Sequence, residues 1–331
     1  MSALAQQFDS QFRDVTSQEI AQFQKFGFVC LKNILSASQV DDLRGAMSLA
    51  LDTFKASPNS YDITAAADAV WRDDEVADQG SEQHDLALLA QAIRAAKLNR
   101  LVDKATPGVA RGKFLLDTGV WRRVPQLASF CVESQLPAVS AALLGANAVR
   151  YYDDQIFVKE GGAVDRSAFH QDVSYFHVSG NEGCVFWIPL DRVREGSGRM
   201  GYVPGSHRWG QVYKPNVFVS ELAFPGSEGP DLPAVEANPE AYGVQYIEVD
   251  PGDVIVHHFL TIHGAEGNRS GAQRRAFSLR YIDANLRYQR RPGAPAQPLH
   301  RQDAVDGDPL DDTIHPIVWE AEQDSRQRET R

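Results

Sequence analysis

The chain has 331 residues, of which 43% are hydrophobic and 23% charged, and 44 acidic against 33 basic side chains leave a net charge of −11. This composition excludes a disordered, collagen-like or coiled-coil chain. The negative charge repels phosphate backbones and anionic lipid headgroups, so we expect no nucleic acid and no membrane partner. The sequence does not indicate an oligomeric state.

The cysteines and the N-terminus bear on the cellular compartment. Only Cys30, Cys131 and Cys184 are present, without a Cys-x-x-Cys pair, which supports neither a disulfide framework nor a cysteine zinc site. The first residues lack the apolar core of a signal peptide, and no later stretch reaches the roughly 18 apolar residues of a membrane span. These features predict a cytoplasmic protein with reduced, buried thiols.

Two helices flanking a strand open the chain. Thr16 and Ser36 are each followed three residues later by Glu or Gln, the spacing of a capping box, and apolar residues at helical spacing come next. Gly27 ends the first helix. The apolar run Phe28–Leu31 predicts the strand between the two helices.

The next segments differ in charge and in period. Residues 57–85 hold eight acidic side chains against Arg72 alone, which predicts a long solvated loop, or alternatively a lid over a site. Helical spacing returns over residues 86–101 and 125–144, and Gly145 ends the second of these stretches.

From residue 149 the chain changes to short strand-like runs, rich in β-branched and aromatic residues and bounded by turn residues. The runs are 149–159, 184–190, 199–203, 246–248, 253–257 and 274–282. They predict a mainly β sandwich or jelly roll with the N-terminal helices packed outside. We expect one elaborated domain over 1–331, comprising a helical part (16–145), a jelly-roll core (146–283) and a C-terminal extension (284–331) in which residues 314–319 dock.

Two histidines and one carboxylate form the strongest candidate metal site. His170 and Asp172 are two residues apart, so in an extended segment they project from the same face. His263 follows 91 residues after Asp172, directly after a strand-like run. Two His and one carboxylate leave three metal positions open, as in non-haem Fe(II) oxygenases. The same residue types also hold zinc.

An arginine strengthens the iron interpretation. Arg274 follows His263 by 11 residues and opens a strand whose alternation puts Arg274 and Arg280 on one face. A buried arginine needs an anion. The far carboxylate of a dicarboxylate that chelates the iron through its other end matches the fork of the guanidinium.

These residues resemble the phytanoyl-CoA dioxygenase-like Fe(II)/2-oxoglutarate-dependent oxygenases, from about Thr16 to Tyr281. The motifs that carry the likeness are Phe-His-Gln-Asp at 169–172, Phe-Trp-Ile-Pro-Leu-Asp at 186–191, Gly-Tyr-Val-Pro-Gly-Ser-His at 201–207, Gly-Asp at 252–253 and His-Gly at 263–264. The spacing to Arg274 and the Ala-Phe-Ser-Leu-Arg-Tyr strand that follows complete the resemblance.

The resemblance implies a double-stranded β-helix, the cupin-like form of the jelly roll, with His170, Asp172 and His263 on Fe(II). It also implies Arg274 on the distal carboxylate of 2-oxoglutarate, with Trp187 lining that site. Because family members that halogenate lack the carboxylate, Asp172 favours oxygen insertion, in which 2-oxoglutarate and O₂ are consumed and succinate and CO₂ released. We therefore expect hydroxylation of an unactivated carbon of a small-molecule substrate, a secondary-metabolite or catabolic intermediate. Desaturation and ring closure are alternative outcomes.

Strand faces and neighbouring positions supply the remaining candidates. Gln155 and Ser278 are assigned to the 2-oxoglutarate site. The candidates for the substrate pocket are Tyr175, Phe176, Lys159, Arg280 and His207. Core packing is the alternative for the two aromatic residues, and a turn-stabilising role is the alternative for His207. Residues 57–85 and 215–242 are expected to set substrate choice.

Other ligands and other functions remain open. His257 and His258 rival His263, but neighbours on a strand face opposite ways, so at most one of the two points inward. A zinc-type metal hydrolase is one alternative function, although it leaves Arg274 and Trp187 without a task. The other is a non-catalytic cupin-like module that binds a small molecule.

Overall fold

The computed structural model describes residues 13–71, 100–295, 297 and 300–321. The α-helices in these residues are α1 (Ser17–Phe26), α2 (Ala37–Asp52), α3 (Ile63–Trp71), α4 (Pro125–Glu133) and α5 (Leu136–Leu144). Capping boxes at Thr16 and Ser36 begin α1 and α2, as the sequence predicts. Both threonine and serine accept a backbone N–H that the first helical turn would otherwise leave unpaired.

The strands make up most of the rest of the fold. They are β1 (Phe28–Leu31), β2 (Ser60–Asp62), β3 (Phe114–Thr118), β4 (Ala148–Lys159), β5 (Ser167–His170), β6 (Gly183–Pro189), β7 (Met200–Tyr202), β8 (Gln245–Ile247), β9 (Val254–His258), β10 (His263–Ala265), β11 (Arg274–Asp283) and β12 (Ile317–Glu320). All pair antiparallel. The larger sheet has the order β1-β9-β6-β11-β4-β3-β2, with β12 beside β4, and the smaller sheet has the order β5-β10-β7-β8.

Alternation along β11 separates the inside of the jelly roll from its outside. Phe277, Leu279 and Tyr281 point to a core shared with α1, α2, α4 and α5. Ala276 points the other way and packs with Trp187 and with residues of the smaller sheet. The helices therefore cover the outer face of the larger sheet, and the predicted mainly β jelly roll with helices outside is confirmed.

A β-bulge lies at one end of this interior. Arg280 pairs with Asp153 but the next residue, Tyr281, pairs with Tyr151, which leaves Tyr152 as the extra residue of β4. Tyr152 turns into a cluster with Phe176 and other apolar residues. Bulges commonly redirect side chains beside functional sites, and this one borders the cavity described below.

The helical stretch predicted over residues 125–144 is helical in the structure and ends at Gly145, but it is divided into α4 and α5. Ser134 between them is extended, with ψ of 174°. Pro137 lacks a backbone N–H, and in one continuous helix its ring would collide with the carbonyl of Glu133. The chain therefore breaks at this point and restarts with proline in the first turn of α5.

The long solvated loop predicted over residues 57–85 is also wrong in its described part. Residues 60–71 form β2 and α3, where Asp62 accepts the N–H of Ala65 at 2.9 Å and so caps the helix start. Ile63 is buried against Phe114 of β3. The two acidic residues of the described part, Asp62 and Asp68, are half-buried and form ion pairs, so the acidic count does not reveal this packing.

Two other predictions concern a helix over residues 86–101 and the docking of residues 314–319. The predicted helix over 86–101 lies outside the described residues, except for its end, where Arg100 forms a β-bridge with Ser220. Residues 314–319 were expected to dock, and β12 pairs with the first residues of β4. The short strands β5 and β10, which carry the site, are not predicted by the sequence pattern.

In the described part of the chain, no single helix is long and apolar enough to cross a membrane. The pair α4 and α5, which is bent by 43°, is long and apolar enough only when the two helices are taken together. These two helices bury Leu127, Phe130 and Leu136 in the core under the larger sheet.

Replacing two glycines with alanine should change the free energy of unfolding in opposite directions. Gly27 has φ of +81°, and a Cβ there would lie 2.4 Å from His207 Nδ1, so we expect Gly27→Ala to destabilise the fold by about 2 kcal/mol or more. Gly45, within α2, has nothing within 4 Å of an added Cβ among the described residues, so Gly45→Ala should stabilise by about 0.5–1 kcal/mol. Urea denaturation measures both, and equal effects would contradict the prediction.

Candidate metal centre

The two histidines of the predicted triad meet across a pair of short strands. His170 ends β5, His263 begins β10, and the two are direct partners in the antiparallel register. Their ring centroids are 4.4 Å apart. Gly264 allows this close approach, because a Cβ there would lie only 2.9 Å from the carbonyl oxygen of Ser167.

Asp172 completes the group from the turn after β5. It begins a short 3-10 turn, Asp172–Tyr175, which points its carboxylate back at the histidines. Asp172 Oδ1 lies 3.5 Å from His170 Nε2, and Oδ2 lies 3.7 Å from His263 Nε2. All three residues are buried, and one nitrogen or oxygen atom from each lies within 4.8 Å of the others.

Backbone hydrogen bonds orient both imidazoles. His170 Nδ1 lies 2.7 Å from the carbonyl oxygen of Ala168, and His263 Nδ1 lies 2.9 Å from that of Thr261. A carbonyl can only accept, so each Nδ1 carries a proton, and each Nε2 is the nitrogen that faces Asp172 and is left to bind a metal. This is the tautomer that a metal-binding histidine adopts when its other nitrogen is hydrogen-bonded.

Burial and neighbouring groups set the charges of the triad. Burial alone would raise the pKa of Asp172, but the imidazoles of His263, His170 and His257 together hold that pKa well below its ordinary value. Burial, with His257 beside it, lowers the pKa of His263 well below its ordinary value. An ionised carboxylate and a neutral imidazole are the forms that bind a metal.

Sequence reasoning missed the role that His257 plays here. It treated His257 as a rival ligand, whereas the structure has His257 Nε2 donating to Asp172 Oδ2 at 2.9 Å, behind the triad. Tyr202 contacts the other ring nitrogen at 3.3 Å. The signal was available, because alternation along β9 turns His257 inward with Ile255. His258 faces away and packs near Phe23 and His207.

The donor set fits a divalent transition metal. Two imidazoles and one carboxylate are the ligands of non-haem Fe(II) sites, and zinc also accepts them. His257 supplies the outer hydrogen bond that metal-bound carboxylates usually have. The residues present are therefore sufficient to hold such an ion.

An inner cavity leads from the triad to Arg274. Trp187, Ser278 and Gln155, all assigned to the cosubstrate from the sequence, line it together with Arg274. Arg274 is 2% exposed, and its Nε has no hydrogen-bond partner among the residues that the structure describes. Burial lowers the pKa of Arg274 to about 10. A guanidinium buried in this way calls for an anion.

An outer cavity opens on the other side of the triad. His170 and Asp172 line it, as do Tyr175, Phe176 and Arg280, three of the residues predicted for the substrate pocket. Gln155 lines both cavities. The outer cavity holds about 1010 Å³, including the space at its open mouth.

Two residues predicted for the substrate pocket lie elsewhere. Lys159 is fully buried, and its Nζ donates to the carbonyl of Glu266 at 2.7 Å, while burial and the charge of Arg274 hold its pKa well below the ordinary value. His207 packs against Gly27, with Nε2 3.1 Å from the carbonyl of Gln24. His207 therefore contacts the end of α1 and lines neither of the two cavities.

Two relatives with curated descriptions carry phytanoyl-CoA dioxygenase in their names. The chain is 27% identical over 136 residues to a probable phytanoyl-CoA dioxygenase of Caenorhabditis elegans, covering 38% of this chain and only 39% of that relative. It is 21% identical over 276 residues to the phytanoyl-CoA dioxygenase domain-containing protein 1 homolog of Caenorhabditis briggsae, covering 79% of this chain and 88% of the relative.

Solved structures share the fold. The non-heme alpha ketoglutarate dependent carbocyclase SnoK from nogalamycin biosynthesis has a TM-score of 0.59 at 22% identity, over 92% of this chain and 97% of that one. The epimerase SnoN in complex with Fe³⁺, alpha ketoglutarate and nogalamycin RO has a TM-score of 0.59 at 19% identity, over 91% and 98%. Residues 23–276 match the phytanoyl-CoA dioxygenase (PhyH) family, which is most of the chain. The predicted resemblance is therefore confirmed, and the chain belongs to the phytanoyl-CoA dioxygenase (PhyH) family.

Proposed function

We propose that this chain is an Fe(II)- and 2-oxoglutarate-dependent dioxygenase that hydroxylates an unactivated carbon of a small molecule, a secondary-metabolite or catabolic intermediate, with release of succinate and CO₂. The observation that carries the proposal is the buried Arg274, whose Nε has no hydrogen-bond partner among the described residues, in the same cavity as a triad of two histidines and one carboxylate. A dicarboxylate that reaches from a metal to Arg274 satisfies both.

Charge counting supports this assignment. Fe²⁺, the Asp172 carboxylate and dianionic 2-oxoglutarate sum to one negative charge, which the Arg274 guanidinium balances. Neutrality matters because an uncompensated charge in a buried site costs several kcal/mol. Lys159 is held outside this balance, because its Nζ donates to the carbonyl of Glu266, and burial and the charge of Arg274 keep its pKa well below the ordinary value.

The protein's own residues position and shield the reactants. Arg274 binds the distal carboxylate, and Trp187, whose ring lies 5.4 Å from the Arg274 guanidinium carbon, closes one wall beside it. His257 holds the Asp172 carboxylate by donating from Nε2. When bound, the iron, 2-oxoglutarate and O₂ supply the oxidising power that breaks the C–H bond. The aromatic residues of the outer cavity keep water away from it.

Hydroxylation is the outcome that we favour among those open to such a site. Asp172 occupies the ligand position that halogenating members leave free, so no place is provided for chloride. The similar structures include a carbocyclase and an epimerase by name, which supports the same cofactor chemistry with more than one outcome. The zinc-hydrolase alternative is weaker, because a hydrolytic water needs no dicarboxylate and leaves Arg274 buried without an anion.

Replacing the carboxylate ligand should abolish turnover. We expect Asp172→Ala to lose succinate release to below about one hundredth of the wild-type rate, because a metal bound by two histidines alone is held weakly. Fe(II) binding, measured by equilibrium dialysis, should fall in parallel. Asp41→Ala, which removes an exposed carboxylate of α2, is the control. Full turnover by Asp172→Ala would refute the triad.

Replacing the inner arginine should affect the cosubstrate and spare the metal. We expect Arg274→Leu to raise the 2-oxoglutarate requirement about ten-fold or more, since it removes charge-assisted hydrogen bonds, with little change in the Fe(II) requirement. Anaerobic titration of the Fe(II)-loaded protein with 2-oxoglutarate, followed by the metal-to-ligand charge-transfer band, measures this directly.

The matched control is Arg275→Leu, because Arg275 lies next on β11 but faces outward, paired with Asp191 at 2.7 Å. It should leave the titration curve unchanged. A band that needs the same 2-oxoglutarate concentration in Arg274→Leu as in the wild type would move the cosubstrate role to another residue. No band at all in folded, iron-occupied protein would contradict the proposed function itself.

A further inference from the structure

We propose that the primary substrate is an apolar, ring-bearing small molecule with a carboxylate, and that Arg280 binds this carboxylate in the outer cavity. The inference rests on the proposed function for the identity of the outer cavity as the substrate site. It adds the chemical class of the substrate and the residue that selects it.

Arg280 is a second buried guanidinium with unused hydrogen-bond donors. It is 3% exposed and lines the outer cavity. Nη2 donates to Gln155 Oε1, while Nε and Nη1 have no partner within the described ranges. Buried donors are almost always paired in native proteins, so two open N–H-bearing nitrogens at a cavity wall indicate a missing acceptor.

The 2-oxoglutarate proposed above does not provide that acceptor. Its two ends are assigned to the metal and to Arg274, which is six residues before Arg280 on the same face of β11. Six residues of strand span about 20 Å, so the two side chains leave the backbone far apart, although both reach the wall of the inner cavity. Arg280 also lines the outer cavity, and we assign its open donors to a second oxygen-bearing ligand there.

The surroundings of Arg280 favour an anion over a neutral oxygen. Its cross-strand partner Asp153 lines the same cavity and is a candidate counter-ion. However, Asp153 Oδ1 accepts the backbone N–H of Asp154 at 2.8 Å, and Arg280 makes its side-chain hydrogen bond to Gln155 instead. Burial raises the pKa of Asp153 in spite of the nearby Arg280 charge, which makes it a weak counter-ion. A substrate carboxylate would supply the missing negative charge.

Five aromatic rings form much of the remaining cavity wall. The rings that line it belong to Tyr61, Tyr175, Phe176, Phe218 and Phe224. The Tyr175 hydroxyl is already used, since it donates to Asn216 at 2.8 Å, so this residue offers the substrate only its ring. Such walls favour planar rings, which stack or pack edge-on against them. Phe218 and Phe224 come from the segment 215–242 and Tyr61 from 57–85, the two segments expected to set substrate choice.

The arrangement also orients the substrate. Arg280 lies with its guanidinium carbon 5.2 Å from the Phe176 ring centre, which fixes one end of the cavity. His170 and Asp172 line the same cavity. A ring-bearing molecule held by its carboxylate at Arg280 therefore extends its other end along the aromatic wall beside the metal ligands.

The test compares matched carboxylates and amides as probes. Isothermal titration calorimetry of the metal-free full-length chain would use benzoate, 2-naphthoate and 2-anthroate, each beside its primary amide. We expect at least one carboxylate to bind about ten-fold or more tightly than its amide. Arg280→Met should remove that preference, weakening the carboxylate and leaving the amide within about two-fold, and Arg280→Lys should restore part of it.

Two further variants separate this inference from the proposed function. Arg275→Met, on the outer face of the same strand, controls for fold and surface charge. Arg274→Leu tests whether the probe sits in the cosubstrate site instead. Under our proposal the two buried arginines bind different ligands. Arg280→Met should no longer bind the aromatic carboxylate tightly but should still show the anaerobic 2-oxoglutarate charge-transfer band. Arg274→Leu should show a weaker band but should bind the aromatic carboxylate as the wild type does.

Three results would overturn the inference. They are failure of every carboxylate to bind better than its amide, a preference that survives in folded Arg280→Met, and loss of the probe in Arg274→Leu alone. Because the calorimetry needs no iron, these outcomes are independent of the band that tests the proposed function. If Arg280→Met does not fold, the comparison of carboxylate with amide in Arg280→Lys decides, with an unchanged preference counting against the proposal.

Discussion

Burying positive charge inside a β-barrel is the constraint on which the rest of this structure depends. The inward face of β11 carries Arg274 and Arg280, both almost fully buried and both with unpartnered donors among the described residues. Burying a charge without a counter-ion costs several kcal/mol, and a ligand of opposite charge would offset this cost. Under the proposals above, the two guanidiniums bind anions that ligands supply, and His170 and Asp172 line the same cavities as these arginines.

The ligands of the triad are placed by backbone geometry more than by side-chain packing. His170 and His263 are register partners on two strands of only four and three residues. Their ring orientations are set by carbonyls two residues upstream, and Asp172 is held by His257 from the larger sheet. Each ligand thus has a hydrogen bond from a different part of the barrel, which fixes the site before any metal arrives.

The reliance of the site on backbone geometry explains which features could be predicted from the sequence. Long strands such as β4 and β11 have enough residues for alternation to be read, and the capping boxes at Thr16 and Ser36 are local chemistry. Strands as short as β5 and β10 carry no period, so their pairing depends on contacts distant in sequence. Lys159 and His207 were assigned to the substrate pocket for a related reason. The face on which a residue lies can be predicted from a strand or turn pattern, but a hydrogen bond from its side chain to a distant backbone carbonyl cannot.

The two ends of the barrel differ in how freely they can vary. The inner end is formed by strand residues, Trp187, Ser278 and Arg274, whose positions follow from the sheet register. Much of the outer wall comes from segments outside the long strands, including Phe218 and Phe224. Substitutions in such segments change a pocket without moving a β-ladder. A family can therefore keep one cosubstrate at the inner end while its members take different substrates at the outer end, and in this chain Arg280 is the strand residue where the two regions meet.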